Sequence, residues 1–395
     1  MRDGSDGEDN KERPARPVGS NYTPVLGLFS SDEPRPAPAI LPSAEPKPLA
    51  PLELSVILPA RDEQDNLGAC LETLAAQHET IFALGTDWEI LVVDDDSTDR
   101  TRAIADEFAA KYPGIKVLTA PPLELRGAQR AFTGKTNACW AGAQVSQGRW
   151  LLFTDADTRH EAGDLRRALH EAHRNGVALL SYSPRQIVTG IAQRLVMPLI
   201  FSELASVYKP EKVNDPADRT AAANGQFLLV EREAYFAAGG HKAVGRSVLE
   251  DVDLAFNIKR SKKAIRLRFA PDALSTHMYR GFGDMVEGWT KNLALLFPHS
   301  LRLVLWRFLD LLLLLLPLLI WLLPYLVTWQ RVAIVALWAR TLLRFYQRVA
   351  RAHFPFLDSA LAPLGLPLFL YLLLASYIRH RVLHTVTWKG REYRT

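Results

Sequence analysis

Between Leu54 and Phe269, short continuous apolar runs alternate with stretches in which apolar positions recur every three or four residues. LSVILP, WEILVVD and IKVLT are of the first kind, NLGACLETLAAQ and TRAIADEFAAKY of the second, and they follow one another as strand, helix, strand, helix, strand. This succession predicts an α/β domain with a mostly parallel sheet and helices on both faces. Strands covered on both sides need apolar residues throughout rather than at alternate positions, which is what these runs contain. The same pattern predicts further strands at Arg149–Thr154, Val177–Tyr182, Gln226–Val230 and Ile265–Phe269. Ligands of such sheets gather at the carboxyl ends of the strands, so the residues just past each strand carry the chemistry.

The two ends of the chain break the pattern. Residues 1–51 are rich in proline, glycine and charge, show neither period, and are expected to form an extended or disordered tail with no signal peptide or N-terminal anchor. Phe308–Thr328 holds about twenty apolar residues, enough for a membrane-spanning helix. In a straight helix its flanking Trp306 and Trp329 would lie about 35 Å apart, near the spacing of the two interfacial belts. Leu361–Ile378 is a second expected span, followed by a basic C-terminal tail. Between them, Arg340, Arg344 and Arg348 give Val332–Val349 one basic face, which favours a helix lying in the interface over a third crossing. The expected domains are therefore the tail, a catalytic domain over residues 52–300, and a membrane domain over residues 301–395.

Composition narrows the classes. A formal net charge of +4 over 395 residues, with no basic block interleaved with aromatics, argues against nucleic acid as a partner. The two cysteines, Cys70 and Cys139, are too few and too far apart for a disulfide framework or a structural zinc site.

Two predicted strands run into acids: WEILVVDDDSTDRT puts Asp94, Asp95 and Asp96 at one exit, and LLFTDADTRH puts Asp155 and Asp157 at another. In a parallel sheet both exits face one edge. Acids after strands can simply cap the next helix, and Ser97, Thr98 or Asp99 could do that alone. Two clusters at one edge repel each other unless something positive lies between them. A Mg2+ or Mn2+ ion held by one or two carboxylates and the oxygens of a substrate diphosphate fits, with Asp157 on the metal and Asp155 on a ribose or on the metal through water. Lys135 in FTGKTNACWAG opens a helix, but Gln129 stands where a P-loop requires glycine, so this is no P-loop. In SVLEDVDLAFNIKR, Glu250 and Asp251 fall at a helix start, as helix-dipole partners or as a general base.

Taken in order, VILPARDEQDNL, VVDDDSTDRT, GKTNA, DAD and LEDVDL resemble the motifs of the family-2 glycosyltransferases, inverting enzymes of the GT-A fold, over roughly Leu54–Phe297. MYRGFGDMVEGWTKNL and TWKGREY resemble the hopanoid-associated and carotenoid (diaponeurosporenoate-type) members. Asp96 stands where glycine is common in the family. The Q-x-x-R-W motif of processive synthases is missing, as is the hydrophobic N-terminal segment of many relatives. The resemblance implies a Rossmann-like, mostly parallel GT-A domain followed by C-terminal membrane helices. It implies a nucleotide-diphosphate sugar donor bound by Pro59, Arg61, Glu63, Asp94, Asp95, Lys135 and Asp155. A divalent cation would lie on Asp157 and Asp155, with His277 nearby. Asp251 becomes the base and Glu250 its orienting partner, while Trp289, Lys291, Asn224 and Gln226 face the acceptor or the membrane.

A water-soluble donor gives no reason for a membrane anchor, so the acceptor should be a lipid carried in the bilayer, with catalysis on the cytosolic side of the cell membrane. Apolar stripes at Phe282, Met285, Val286, Trp289, Leu293 and Leu296, and at Ile191, Leu195, Leu199 and Val207, are expected either to pack on the sheet or to admit that lipid. Transfer to a polyprenyl phosphate, and donor binding without turnover in a membrane-bound sensor, are the alternatives.

Overall fold

A computed structural model of the protein describes residues 52–395 apart from 78, 124, 127–128, 298, 389–390 and 395. The expected tail over residues 1–51 and part of the TWKGREY ending lie outside the described residues.

All seven expected strands form one sheet, in the order 265–269, 179–183, 228–231, 150–153, 54–60, 88–94 and 115–119. Strand 228–231 runs antiparallel to both neighbours, and every other pair is parallel. The sheet is thus the mostly parallel, Rossmann-like α/β arrangement that the pattern predicts. Both faces are covered. Val56, Leu58, Val92 and Leu152 pack on one side, and Ile57, Leu91, Val93 and Phe153 on the other. Each such side chain removed from water contributes about 1.5–3 kcal/mol.

Register positions the chemistry. Ala60 pairs with Asp94 and Ile57 with Phe153, so the strands ending at Ala60, Asp94 and Phe153 leave the sheet at one edge. The reversed strand 228–231 begins at that edge, which carries Asn224, Gly225 and Gln226 to the same place as the acid exits.

The two apolar stripes pack against each other. Met285, Trp289 and Leu293 of helix Phe282–Leu296 pack with Val196, Met197, Leu199 and Ile200 of helix Ile191–Val207 in a third core cluster. Of the stripe residues, Phe282 and Ile191 remain exposed.

The run Phe308–Thr328 is not one helix. Helix Ser300–Leu314 stops before Pro317, which cannot donate the backbone bond that continuation requires, and helix Pro317–Leu322 stops before Pro324. The chain then returns as helix Thr328–Val349, which packs back along Ser300–Leu314. Trp306 and Trp329 therefore do not mark the two ends of a straight rod. Asp310 lies near the start of the run. It is paired with Arg307 and with Arg348, 2.8 Å away, while Glu203 takes the same two arginines at 3.2 and 3.4 Å. Arg348 thereby leaves the basic face it was expected to share with Arg340 and Arg344.

The second expected span lies inside Phe356–Leu383, the one segment among the described residues long and apolar enough to cross a membrane. Its Phe369, Leu372 and Leu373 are buried against the helices just described, and Ser376 accepts the Ala294 amide at 2.8 Å.

Candidate active site

Asp155, Glu250 and Asp251 meet at the carboxyl edge of the sheet, in a pocket lined also by Pro59, Lys135 and Gly225, with Cys139 and His241 behind, and Asp94 and Asp157 are not among the residues lining it. Lys135 sits at the start of helix Gly134–Val145, whose first turn is closed by reciprocal bonds between Thr133 and Thr136. Thr136 Oγ1 also donates to the Gly245 carbonyl at 2.6 Å, fastening this turn to the loop that leads into helix Glu250–Arg260. So fixed, Lys135 Nζ lies 2.9 Å from Asp155 Oδ1 and 3.0 Å from Glu250 Oε1. The positive charge the acid clusters call for is thus supplied in part by the chain. Asp155, expected on a ribose or metal, is first of all the partner of this lysine.

The lysine divides the acids electrostatically. Burial disfavours its own charge, but Asp155 and Glu250 outweigh that and hold its pKa well above the ordinary value. Burial likewise opposes the Glu250 carboxylate, and Lys135 overcomes it, leaving that pKa below normal. Asp251 forms no ion pair with the lysine among the described residues and feels its charge less than Glu250 does. Burial, then the Glu250 charge beside it, push its pKa up to about 7. Its Oδ2 accepts the Gly225 amide at 2.8 Å and its Oδ1 the Val252 amide at 2.8 Å, which fixes the carboxyl group at the pocket wall. A Cβ at Gly225 would stand 3.0 Å from Lys135 Nζ and 3.4 Å from Asp251 Oδ2, so glycine lets the two groups approach without crowding.

Asp157 makes no ion pair with the lysine among the described residues, though the lysine's charge still acts on it. Its Oδ1 is buried and without a hydrogen-bond partner, and burial followed by the Asp155 charge raises its pKa to about 7. Thr276 bonds the carboxyl group, and Gln226 Nε2 donates to Thr276 Oγ1 at 2.9 Å. An orphaned, charge-disfavoured carboxylate oxygen suits a hard cation. No group of three or more metal-ligating side chains occurs among the described residues, so an ion there would draw most of its ligands from substrate and water, as magnesium-type ions do. His277 donates its backbone amide to the Asp157 carbonyl at 3.3 Å, and its ring nitrogen contacts Thr189 Oγ1 at 3.2 Å.

The first acid cluster does not serve as a cap. Asp99 takes the Thr101 amide at 2.9 Å at the start of helix Thr101–Lys111, and Asp94 receives only Ser97, at 3.3 Å. Asp96 adopts the left-handed φ of 61° that glycine would supply in the family, a conformation aspartate tolerates better than most residues. Arg61 donates to the Asp95 carbonyl at 3.1 Å, and Glu63 is joined by Asn66 at 2.9 Å and Arg280 at 3.7 Å.

On the acceptor side the expectations divide. Lys291 faces the acids closely enough that Glu250, Asp155 and Asp251 all act on it, although burial still lowers its pKa. Asn224 and Gln226 flank Gly225 at the edge, with Asn224 Oδ1 accepting the Gln226 amide at 2.9 Å. Trp289 lies in the third core cluster. It is buried, and its ring nitrogen donates to Met197 Sδ at 3.3 Å. Gly225, His241 and Arg280 are the site residues that the sequence pattern passes over. His241, held by Tyr235 at 2.9 Å, is kept neutral by burial, which lowers its pKa to about 4.

Residues 55–235 match the model of the glycosyl transferase family 2. Similar curated proteins include the 4,4'-diaponeurosporenoate glycosyltransferase of Staphylococcus haemolyticus, 27% identical over 263 residues, with 64% of each chain covered. The protein of that name in Staphylococcus aureus strain MRSA252 is 24% identical, with 61% of this chain and 60% of that one covered. The match thus spans less than two thirds of these relatives' length. A solved structure, mannosyltransferase PcManGT from Pyrobaculum calidifontis in complex with GDP-Man and Mn2+, is 16% identical with a TM-score of 0.49, covering 85% of this chain and 90% of that one.

Proposed function

We propose that this chain, whose residues 55–235 are a glycosyl transferase family 2 domain, is an inverting, membrane-associated glycosyltransferase. It moves a sugar from a nucleotide-diphosphate donor to a lipid-soluble hydroxyl or carboxylate acceptor of carotenoid or hopanoid type. The catalytic domain is residues 52–300, on the cytosolic side where nucleotide sugars are made, and residues 301–395 face the membrane. The curated relatives' names supply the acceptor class.

The observation that carries this reading is the pairing of a carboxyl group poised near neutrality, Asp251, with the Lys135–Asp155 ion pair in one pocket at the sheet's carboxyl edge. A base with a pKa near the working pH combines availability with driving force for proton removal. With a hydroxyl acceptor, the oxygen attacks the anomeric carbon as its proton passes to Asp251 Oδ, whereas a carboxylate acceptor attacks already deprotonated; in both cases the bond from that carbon to the diphosphate oxygen breaks on the opposite face. Gly225 and Val252 aim the Asp251 carboxyl group, and Glu250, kept charged by Lys135, sustains its raised pKa. Pro59, Arg61, Glu63, Asp94 and Asp95 border the nucleotide, and Lys291, Asn224 and Gln226 border the acceptor. Asp157, with Asp155, would hold a Mg2+ or Mn2+ ion, which when bound neutralises charge on the departing diphosphate.

The test is incubation with a panel of radiolabelled nucleotide sugars followed by lipid extraction. An alkali- and acid-stable labelled glycolipid from a hydroxyl acceptor, or an alkali-labile one from a carboxylate acceptor, supports the proposal. Label solely in an acid-labile lipid phosphate points to a polyprenyl-phosphate acceptor. Donor binding with no labelled lipid points to a sensor.

A further inference from the structure

The hairpin formed by Ser300–Leu314, Pro317–Leu322 and Thr328–Val349 exposes Trp306 by 50%, Trp321 by 82%, Tyr325 by 91% and Trp329 by 70%, together with Leu305, Leu312, Leu318, Leu322 and Val332. A contiguous apolar surface of this kind requires a partner. Tryptophan and tyrosine favour the boundary between headgroups and acyl chains, so they mark where that boundary lies. Here they occur at both the base and the tip of the hairpin. Along an unbroken helix Trp306 and Trp321 would be about 22 Å apart, and Leu315 and Leu316, which link the two helices, keep helical dihedrals. A hydrocarbon core is about 30 Å thick, so these two tryptophans cannot mark its opposite faces.

The polar groups agree. At the turn, Arg331 donates to the carbonyls of Leu326 and Pro324, each at 3.0 Å. A charged group is thus built into the tip, where a crossing hairpin would have to carry it through hydrocarbon. Arg302, Arg340 and Arg344 are exposed along the legs, a complement to anionic headgroups. The four-charge cluster of Glu203, Arg307, Asp310 and Arg348 ties the hairpin's base to helix Ile191–Val207.

We propose that Ser300–Val349 lies in the plane of a single anionic leaflet, docking the protein on one face of the membrane without crossing it. This rests on the assignment of residues 301–395 to the membrane side, not on the transfer chemistry. Phe356–Leu383, 44% buried within the protein over its most apolar stretch, packs against helix Ser300–Leu314 of the hairpin.

The test uses the full chain added to preformed phosphatidylglycerol–phosphatidylcholine vesicles. Cys70 and Cys139 are buried, so Tyr325→Cys supplies a single reporter thiol at the tip. A maleimide trapped inside the vesicles is expected not to react with that thiol, and a nitroxide attached to it should be broadened more by a spin label high on the acyl chain than by one at its end. Trp321→Glu combined with Trp329→Glu is expected to weaken vesicle binding about tenfold or more, and pure phosphatidylcholine should bind less than the anionic mixture. Labelling from inside the vesicles, broadening greatest from the chain end, or no binding to anionic vesicles overturns the proposal. Transfer assayed in detergent reports on catalysis separately: binding without transfer leaves the docking intact, and transfer without binding overturns the docking alone.

Discussion

Lys135 lies 3.0 Å from Glu250, on a side chain that also reaches Asp155 at 2.9 Å, and this bridge allows acids from two distant parts of the chain to share one pocket. The lysine also sets the division of labour. It stabilises the charge on Glu250, and that charge helps keep the neighbouring Asp251 near neutrality.

Replacing Lys135 by methionine keeps the side chain's bulk and removes its charge. Asp155 and Glu250 then repel each other unscreened, and turnover is expected to fall about 10²-fold, the scale for losing one electrostatic group at a reacting centre. The Glu250 pKa should rise at the same time. Steady-state kinetics with arginine as the conservative variant checks this; full activity in Lys135→Met would show that the bridge has no part in transfer.

Asp157→Ala removes the orphaned carboxylate. Calorimetric titration with a nucleoside diphosphate is expected to give binding that Mg2+ or Mn2+ strengthens in the natural protein and leaves unchanged in the variant. A variant that keeps its metal response puts the ion elsewhere.

Gly225→Ala would put a methyl group 3.0 Å from Lys135 Nζ and 3.4 Å from Asp251 Oδ2. The flexible lysine end can yield by a few tenths of an ångström, so the melting temperature should change little. Turnover should drop about tenfold, because small displacements of reacting groups are costly. Equal turnover in the two proteins would mean that the close approach of these groups is not needed.

Much of this was legible in the residues. Doubly covered strands have a distinctive apolar continuity, which is why all seven emerge from the pattern, and acids at two parallel exits imply a shared edge. The reversed direction of strand 228–231 was not legible, since periodicity carries no sign, and with it the arrival of Gly225 between Lys135 and Asp251 was hidden. That Trp289 packs on helix Ile191–Val207 was not legible, because a stripe that packs on another helix and one that admits a lipid look the same before the partner is known. Hydropathy counts residues but not turns, so the prolines at 317 and 324 fold what reads as one span back on itself.

The role of Asp251 is tested most directly by the pH dependence of kcat/KM for the natural protein and for Asp251→Asn. The base must be unprotonated, and burial raises its pKa to about 7, so kcat/KM should climb with pH through that value and level off above it. The asparagine variant should lose about 10²- to 10⁴-fold in turnover, bind donor nearly as well, and show no such limb. An equally active variant, or one that retains the same rise near pH 7, would contradict the assignment of Asp251 as the base.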